Sequence, residues 1–260
     1  MGSAVAALPA FYEVSAPAAW RVVDFISDLH LSAALPRTQA ALARHLAETP
    51  ADAVFILGDL FEVWVGDDAR ALPAERQLVD LLADGAARRH LAFMVGNRDF
   101  LVGGATLNAC GMMGLPDPTV LSAWGQRILL THGDALCLDD TEYQAFRREV
   151  RGAAWQQAFL AKPLAERSAI AAEIRRKSEA RHRFDGRTDV DVDTATAVAW
   201  LHATGAAEMV HGHTHRPGSD ELAPGFKRHV LSDWDLDDPK HPRAEVLRLT
   251  RDGFTRLAVR

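Results

Sequence analysis

The chain has 260 residues, with 29 Lys+Arg against 35 Asp+Glu, a formal net charge of −6, 48% hydrophobic and 25% charged residues. That balance excludes a disordered chain, the length suffices to bury a large core, and the acidic balance argues against duplex nucleic acid as a partner. Two cysteines, Cys110 and Cys137, give no disulfide framework and no cysteine-only metal site, and no run of 18 apolar residues offers a membrane span.

Residues 1–20 are rich in Ala and Pro, with no basic run ahead of an apolar one. Pro9 and Glu13 interrupt any signal-peptide pattern, so the stretch is read as a loose N-terminal extension. Short apolar runs follow at 22–26, 53–57, 91–95, 127–130 and 208–210, each about strand length and rich in β-branched or aromatic residues. Helical patterns at 38–48 and 75–89 lie between them, and strands expected at 228–231, 244–249 and 254–259 read as antiparallel closing elements. This alternation predicts an α/β fold around a parallel or mixed sheet. The core is expected over 21–137 and 202–260.

The stretch 138–201 differs. It contains no convincing strand, and from 141 to 187 it carries eleven Lys/Arg against six acids, a charge of +5 that leaves −11 for the remainder. A basic helical insertion in an acidic protein is either a cap over an anionic substrate or a solvated hairpin, and charge alone leaves both open. Apolar positions Tyr143/Phe146/Val150 and Trp155/Phe159 recur at helical spacing beside the basic faces.

Chemistry gathers where the runs end. They are followed by Ser27-Asp28-Leu29-His30, Gly58-Asp59, Gly96-Asn97-Arg98-Asp99, Thr131-His132-Gly133-Asp134 and His211-Gly212-His213-Thr214-His215. In α/β folds the ligand crevice lies beyond the carboxyl ends of the strands. Each piece alone is weak; five in order are hard to explain as turns. Asp28, His30, Asp59, Asn97, His132, His213 and His215 offer oxygen and imidazole nitrogen, a donor set suited to Mn²⁺, Fe²⁺ or Zn²⁺. Seven ligands exceed one open site and suit two metals bridged by a carboxylate, an arrangement used at phosphorus.

The blocks D-x-H, G-D, G-N, H and G-H-x-H, in this order, resemble the calcineurin-like metallophosphoesterase superfamily. The longer strings SDLHLS, ILGDLFEVWVGDD, GNRDFL, THGDALCLDDTEYQAFR and HGHTHRP resemble its UDP-2,3-diacylglucosamine diphosphatase family, of lipid A biosynthesis. The resemblance implies a four-layer sandwich, two sheets between helices, with a helical cap inserted at 138–201. It implies two divalent cations, Mn²⁺ foremost, one held by Asp28, His30, Asp59 and His215 and the other by Asp59, Asn97, His132 and His213. The implied reaction cleaves a UDP-linked diacylglucosamine to UMP and 2,3-diacylglucosamine 1-phosphate, by attack of metal-activated water on the α-phosphorus. Asp59, Asn97, Arg98 and His132 would serve catalysis; Asn97, Arg98, Asp140, Ser178 and His213 would touch substrate. The lipid substrate implies a peripheral enzyme on the cytoplasmic face of the bacterial inner membrane; no protein partner is legible.

His211 falls outside G-H-x-H and is read as structural, and Asp99 and Asp134 as groups that orient ligands or turns. Arg98 stands where much of the superfamily has a proton-donating His. A phosphate monoester leaves without a proton, its second pKa being about 6. Arg98 therefore suits a P–O–P substrate as a diphosphate clamp, against the alternative of a surface ion pair with Asp99. His182 and Asp185 stand where the diphosphatases often have Asn and Lys.

Overall fold

The computed structural model describes residues 6–185 and 190–259, with side chains throughout except at 177–185. One six-stranded sheet runs, edge to edge, through β12 (Gly253–Ala258), β11 (Glu245–Thr250), β2 (Val23–Ile26), β3 (Ala53–Leu57), β4 (His90–Met94) and β5 (Met113–Leu115). The second runs through β1 (Tyr12–Ser15), β6 (Thr119–Ala123), β7 (Gln126–Thr131), β8 (Glu208–His211), β10 (Phe226–Val230) and β9 (Gly218–Ala223). Strands β2 to β5 are mutually parallel, as are β7, β8 and β10.

Alternation along the central strands explains the layering. Phe55 and Leu57 point between the sheets and meet Phe25, Met94, Leu121, Leu130 and Val210. Val54 and Ile56 point outward, into a cluster with Leu42 and Leu46 of α1 (Pro36–Glu48) and Leu78 and Leu82 of α2 (Pro73–Ala86). On the far side Val120, Leu129 and Met209 pack with Ala197, Trp200 and Leu201 of α7 (Thr194–Thr204). The result is the expected four layers, helix–sheet–sheet–helix. Strands buried on both faces read as unbroken apolar runs, which is why these were visible in the sequence.

Helix ends are tied by carboxylates. Asp237 accepts the main-chain N–H groups of Arg37 and Thr38 at 3.0 and 2.9 Å, capping α1 from 200 residues away in sequence. Asp193 caps α7 through Thr196 N–H at 2.8 Å, and Gly205 ends that helix at φ 64°. A third short helix, α3 (Gly104–Cys110), is followed by α4 (Thr141–Val150), α5 (Ala153–Leu160) and α6 (Leu164–Asp185).

The sequence reading needs correction in several places, and strands β5, β6 and β9 were not anticipated at all. Residues 12–15 are not loose: β1 pairs in parallel with β6 and forms an edge of the second sheet. Its exposure, with only Val14 half-buried, hides it from a search for apolar runs. The helical stretch is not one unit, because α7 packs on the second sheet while residues of α5 and α6 pack against the core cluster of the first. Finally, β10 pairs in parallel with β8 as well as antiparallel with β9. Among the described residues of 138–201 there is no strand, as expected.

Candidate metal centre

The five strands flagged in the sequence deliver their loops to one place. Across the first sheet, Asp28 N–H donates to Gly58 O and His30 N–H to Asp59 O, both at 3.0 Å. Across the second, Gly212 N–H donates to His132 O at 3.0 Å. The two sets are joined by His213 N–H, which donates to Asp28 Oδ2 at 3.0 Å. These loops fold tightly because the glycines leave room. A β-carbon at Gly96 or Gly212 would collide with the carboxylate of Asp59 or Asp28, and one at Gly58 with the His132 ring.

Backbone strain marks the same residues. Asp28, His30, Asp59, His213 and His215 all take positive φ, between 48° and 66°, the left-handed region that side chains with a β-carbon avoid. Each such residue costs of order 1–3 kcal/mol and persists where the surroundings over-determine it, most often at a functional site. Five of the seven expected ligands bear this strain.

The side chains converge with their lone pairs inward. Asn97 Oδ1 lies 2.9 Å from His132 Nε2 and 2.8 Å from His213 Nδ1. His132 Nδ1 is 2.9 Å from the Leu57 carbonyl, so in the neutral ring that a metal ligand requires the proton sits on Nδ1 and Nε2 is an acceptor facing another acceptor. His30 Nε2 faces His215 Nε2 at 3.4 Å, and His215 Nε2 lies 3.4 Å from Asp28 Oδ1. Two overlapping groups gather ligand atoms within 4.8 Å of one another: Asp28, His30 and His215, and Asp28, Asp59 and His132. Acceptors pressed together need a cation between them, so the donor set fits two divalent ions. Asp28 belongs to both groups, while Asp59 lies 3.8 Å from His132 through Oδ1.

Burial and charge set the protonation states. Burial drives the His30 and His213 imidazoles down to about 3, leaving both neutral, as a metal ligand must be. Asp28 resists the upward push of burial because His215, His132 and His30 hold it well below the carboxylate range. Asp59 is pushed up to about 7, first by burial and then by the charges of Asp99 and Asp28. His132 rises to about 9 although burial opposes it, because Asp59, Asp134 and Asp28 face it. The protein thus holds excess negative charge in a dry place, the condition a bound cation relieves.

Supporting groups surround the cluster. Asp99 turns inward and accepts from Gly96 N–H and Leu60 N–H at 2.7 Å each and from Phe61 N–H at 3.2 Å, locking two ligand-bearing loops together. His215 Nδ1 lies 3.6 Å from Asp233 Oδ2, and Arg243 in turn holds Asp233. Asp134 orients no ligand; it anchors the cap, accepting from Tyr143 Oη at 2.6 Å and Arg147 Nε at 2.8 Å. The Tyr143 ring sits 5.8 Å from the His213 ring, so α4 overhangs the site.

The structure brings together Asp28, His30, Asp59, Asn97, His132, His213 and His215, with Arg98 beside them. Arg98 does not pair with Asp99, which is committed to backbone amides; its ion partner is Glu62, at 3.5 Å. Asp140 caps α4, accepting from Tyr143 N–H at 3.0 Å. Ser178, His182 and Asp185 lie outside the residues whose side chains are described. His211 is fully buried away from the cluster, with Nδ1 2.9 Å from Gly212 O. Sequence reasoning missed Glu62, Tyr143 and Asp233 as neighbours of the site. Glu62 had a signal, an acidic residue inside an otherwise apolar run after Asp59, whereas Asp233 had none.

Of the cap's apolar stripes, Trp155 and Phe159 stack at 4.7 Å and join the core cluster of the first sheet, with Phe100 against Trp155. That stripe is packing onto the body. No helix among the described residues is long and apolar enough to cross a membrane.

A family model for calcineurin-like phosphoesterases matches residues 22–217. The chain therefore belongs to the calcineurin-like phosphoesterase family and is a hydrolase acting on phosphorus. Its similarity is also specific within that family. A relative from Xanthomonas axonopodis pv. citri (strain 306) is 43% identical over 243 residues, covering 88% of this chain and 95% of the relative. Another, from Chromobacterium violaceum, is 46% identical over 215 residues, covering 82% and 90%. Both are named UDP-2,3-diacylglucosamine hydrolase.

Proposed function

We propose that this chain hydrolyses UDP-2,3-diacylglucosamine to UMP and 2,3-diacylglucosamine 1-phosphate, as a step in lipid A biosynthesis. The observation that carries the reading is Arg98 at the edge of a seven-residue oxygen and nitrogen cluster, in a chain similar over most of its length to hydrolases of that name. Asp28, His30, Asp59 and His215 would hold one divalent ion, and Asp59, Asn97, His132 and His213 a second, with Mn²⁺ as the metal. When bound, the ions neutralise phosphoryl oxygens and lower the pKa of a coordinated water.

The rest of the chemistry belongs to the protein. Arg98 has its main chain fixed, since its N–H donates to Asp59 Oδ1 at 2.8 Å and its carbonyl accepts from Trp64 N–H at 3.2 Å. Its guanidinium, with Glu62 3.5 Å from Nη1, would clamp a diphosphate oxygen and stabilise charge developing there. It cannot donate a proton, and it need not, because the departing lipid phosphate is stable as an anion. Asn97 and His213 would contact the α-phosphoryl group, with Asp140 and Ser178 reaching the sugar or nucleotide. The basic cap would receive the anionic substrate and its acyl chains. The enzyme would work peripherally on the cytoplasmic face of the inner membrane, where such a lipid resides.

The test is UMP release by metal-stripped protein in detergent micelles, offered UDP-2,3-diacylglucosamine or unacylated UDP-glucosamine, with and without Mn²⁺. Turnover of the acylated substrate only, restored by Mn²⁺ and absent in Asp59→Ala, supports the whole reading. Equal turnover of both substrates would remove the lipid role of the cap.

A further inference from the structure

Outside the seven converging side chains, one carboxylate is shared by groups from three parts of the fold. Glu62 follows the Asp59 loop, and its N–H donates to Leu31 O at 3.1 Å, beside the bridge between Leu31 and Phe61. This places it next to the loop that carries His30. Its Oε2 lies 3.6 Å from His30 Nδ1, and its Oε1 lies 3.5 Å from Arg98 Nη1 and against Arg175 Nη1 of α6. The Glu62 side chain is 19% exposed and that of His30 15%, so that approach takes place largely away from water, whereas Arg98 and Arg175 are 31% and 35% exposed.

Each partner has a reason to need it. An imidazole that offers one ring nitrogen to a cation must carry its proton on the other, and a carboxylate beside that nitrogen selects the tautomer. His30 Nε2 points at His215, while Nδ1 has no hydrogen-bond partner among the described residues and faces Glu62. Two guanidinium groups near one another repel unless an anion lies between them. Glu62 is that anion for Arg98 and Arg175. Because the main chain of Arg98 is already pinned, the direction of its guanidinium is what remains to be set.

We infer that Glu62 is a positioning residue that aligns His30 for a cation and Arg98 for a phosphoryl group, and links both to the cap helix through Arg175. The inference rests on the two-metal phosphohydrolase reading above. It assigns α6 a part in the metal centre through Arg175. A plain surface ion pair would leave metal affinity unmoved.

The experiment is a Mn²⁺ titration of the metal-stripped full chain against a chromophoric chelator, with no substrate present. Glu62→Gln is expected to weaken Mn²⁺ binding by about 10–100-fold, the usual effect of losing a carboxylate behind a ligating histidine. Glu62→Asp, which keeps the charge, recovers part of that loss. Glu173→Gln, on the exposed side of α6 and paired with Arg176, binds as the unaltered chain does. Glu62→Gln binding Mn²⁺ within about twofold of the unaltered chain would overturn the His30 half of the inference. The Arg98 half is read from KM for the acylated substrate. The effects of Glu62→Gln and Arg98→Lys are expected to overlap in the double variant, whereas effects that simply multiply would overturn it. If the unaltered chain takes up no Mn²⁺, it is the two-metal reading itself that falls.

Discussion

Asp24 lies in the middle of β2, a few residues before the loop that carries Asp28 and His30, and it is fully buried. Arg248 Nε and Nη2 donate to its two oxygens at 2.7 and 2.9 Å, Thr49 Oγ1 donates at 2.6 Å, and His45 Nε2 lies 3.3 Å away. Burial alone would raise its pKa, but Arg248, with His45 and Thr49, lowers it to about 2 from an ordinary 3.8. At 1.36 kcal/mol per pKa unit the ionised carboxylate contributes about 2 kcal/mol of stability at neutral pH. Asp24→Asn keeps the shape and removes the charge, so it is expected to lose about 2 kcal/mol at pH 7 in urea unfolding followed by circular dichroism. Because the folded pKa lies below the unfolded one, the contribution is complete above about pH 4 and disappears as the pH falls through about 2. The deficit of Asp24→Asn relative to the unaltered chain should therefore narrow between those limits. A deficit below about 0.5 kcal/mol at pH 7, or one that does not change with acidification, would refute the charge-based account.

Arg98→His should lower turnover of the diphosphate substrate by about 10–100-fold through loss of a charge-assisted clamp, measured as kcat/KM for UMP release; full activity would end the clamp idea. Gly96→Ala should displace the Asp59 carboxylate, abolish Mn²⁺ uptake in the chelator assay and cost about 1–3 kcal/mol of stability by overpacking. Saturating Mn²⁺ should raise the stability of the metal-stripped chain by about 2.7 kcal/mol at a hundredfold excess over Kd, read as a rise in Tm, and Asp59→Ala should show little of that rise.

The sequence made the centre legible because its parts obey two strong rules: fully buried parallel strands read as apolar runs, and ligand loops follow their carboxyl ends. Asp28, His30, Asp59, Asn97, His132, His213 and His215 could all be named that way. Elements outside those rules were opaque. Strands β1 and β9 lie at sheet edges, where exposure dilutes the apolar signal, and both went unseen. The helix α7 carries the same local pattern as the cap helices, and only its partners on the second sheet distinguish it. The carboxylates that support the histidines were hardest to read. Asp233 reaches His215 from 18 positions along the chain, and Glu62 reaches His30 from 32, because strand pairing and not spacing brings them near.

The seam between the two sheets has a consequence for how the protein comes into being. Asp28, His30, Asp59 and Asn97 hang from the first sheet, whereas His132, His213 and His215 hang from the second. Neither sheet is built from one continuous stretch: the first waits for residues 245–258 and the second takes its opening edge from residues 12–15. A chain emerging from the ribosome therefore lacks a complete ligand set until residue 215 has been made, and lacks a completed first sheet until nearly its end. On the two-metal reading, an ion could be retained only once the two sheets have closed on one another, because a truncated or half-folded chain carries the histidines and carboxylates without the geometry to hold it.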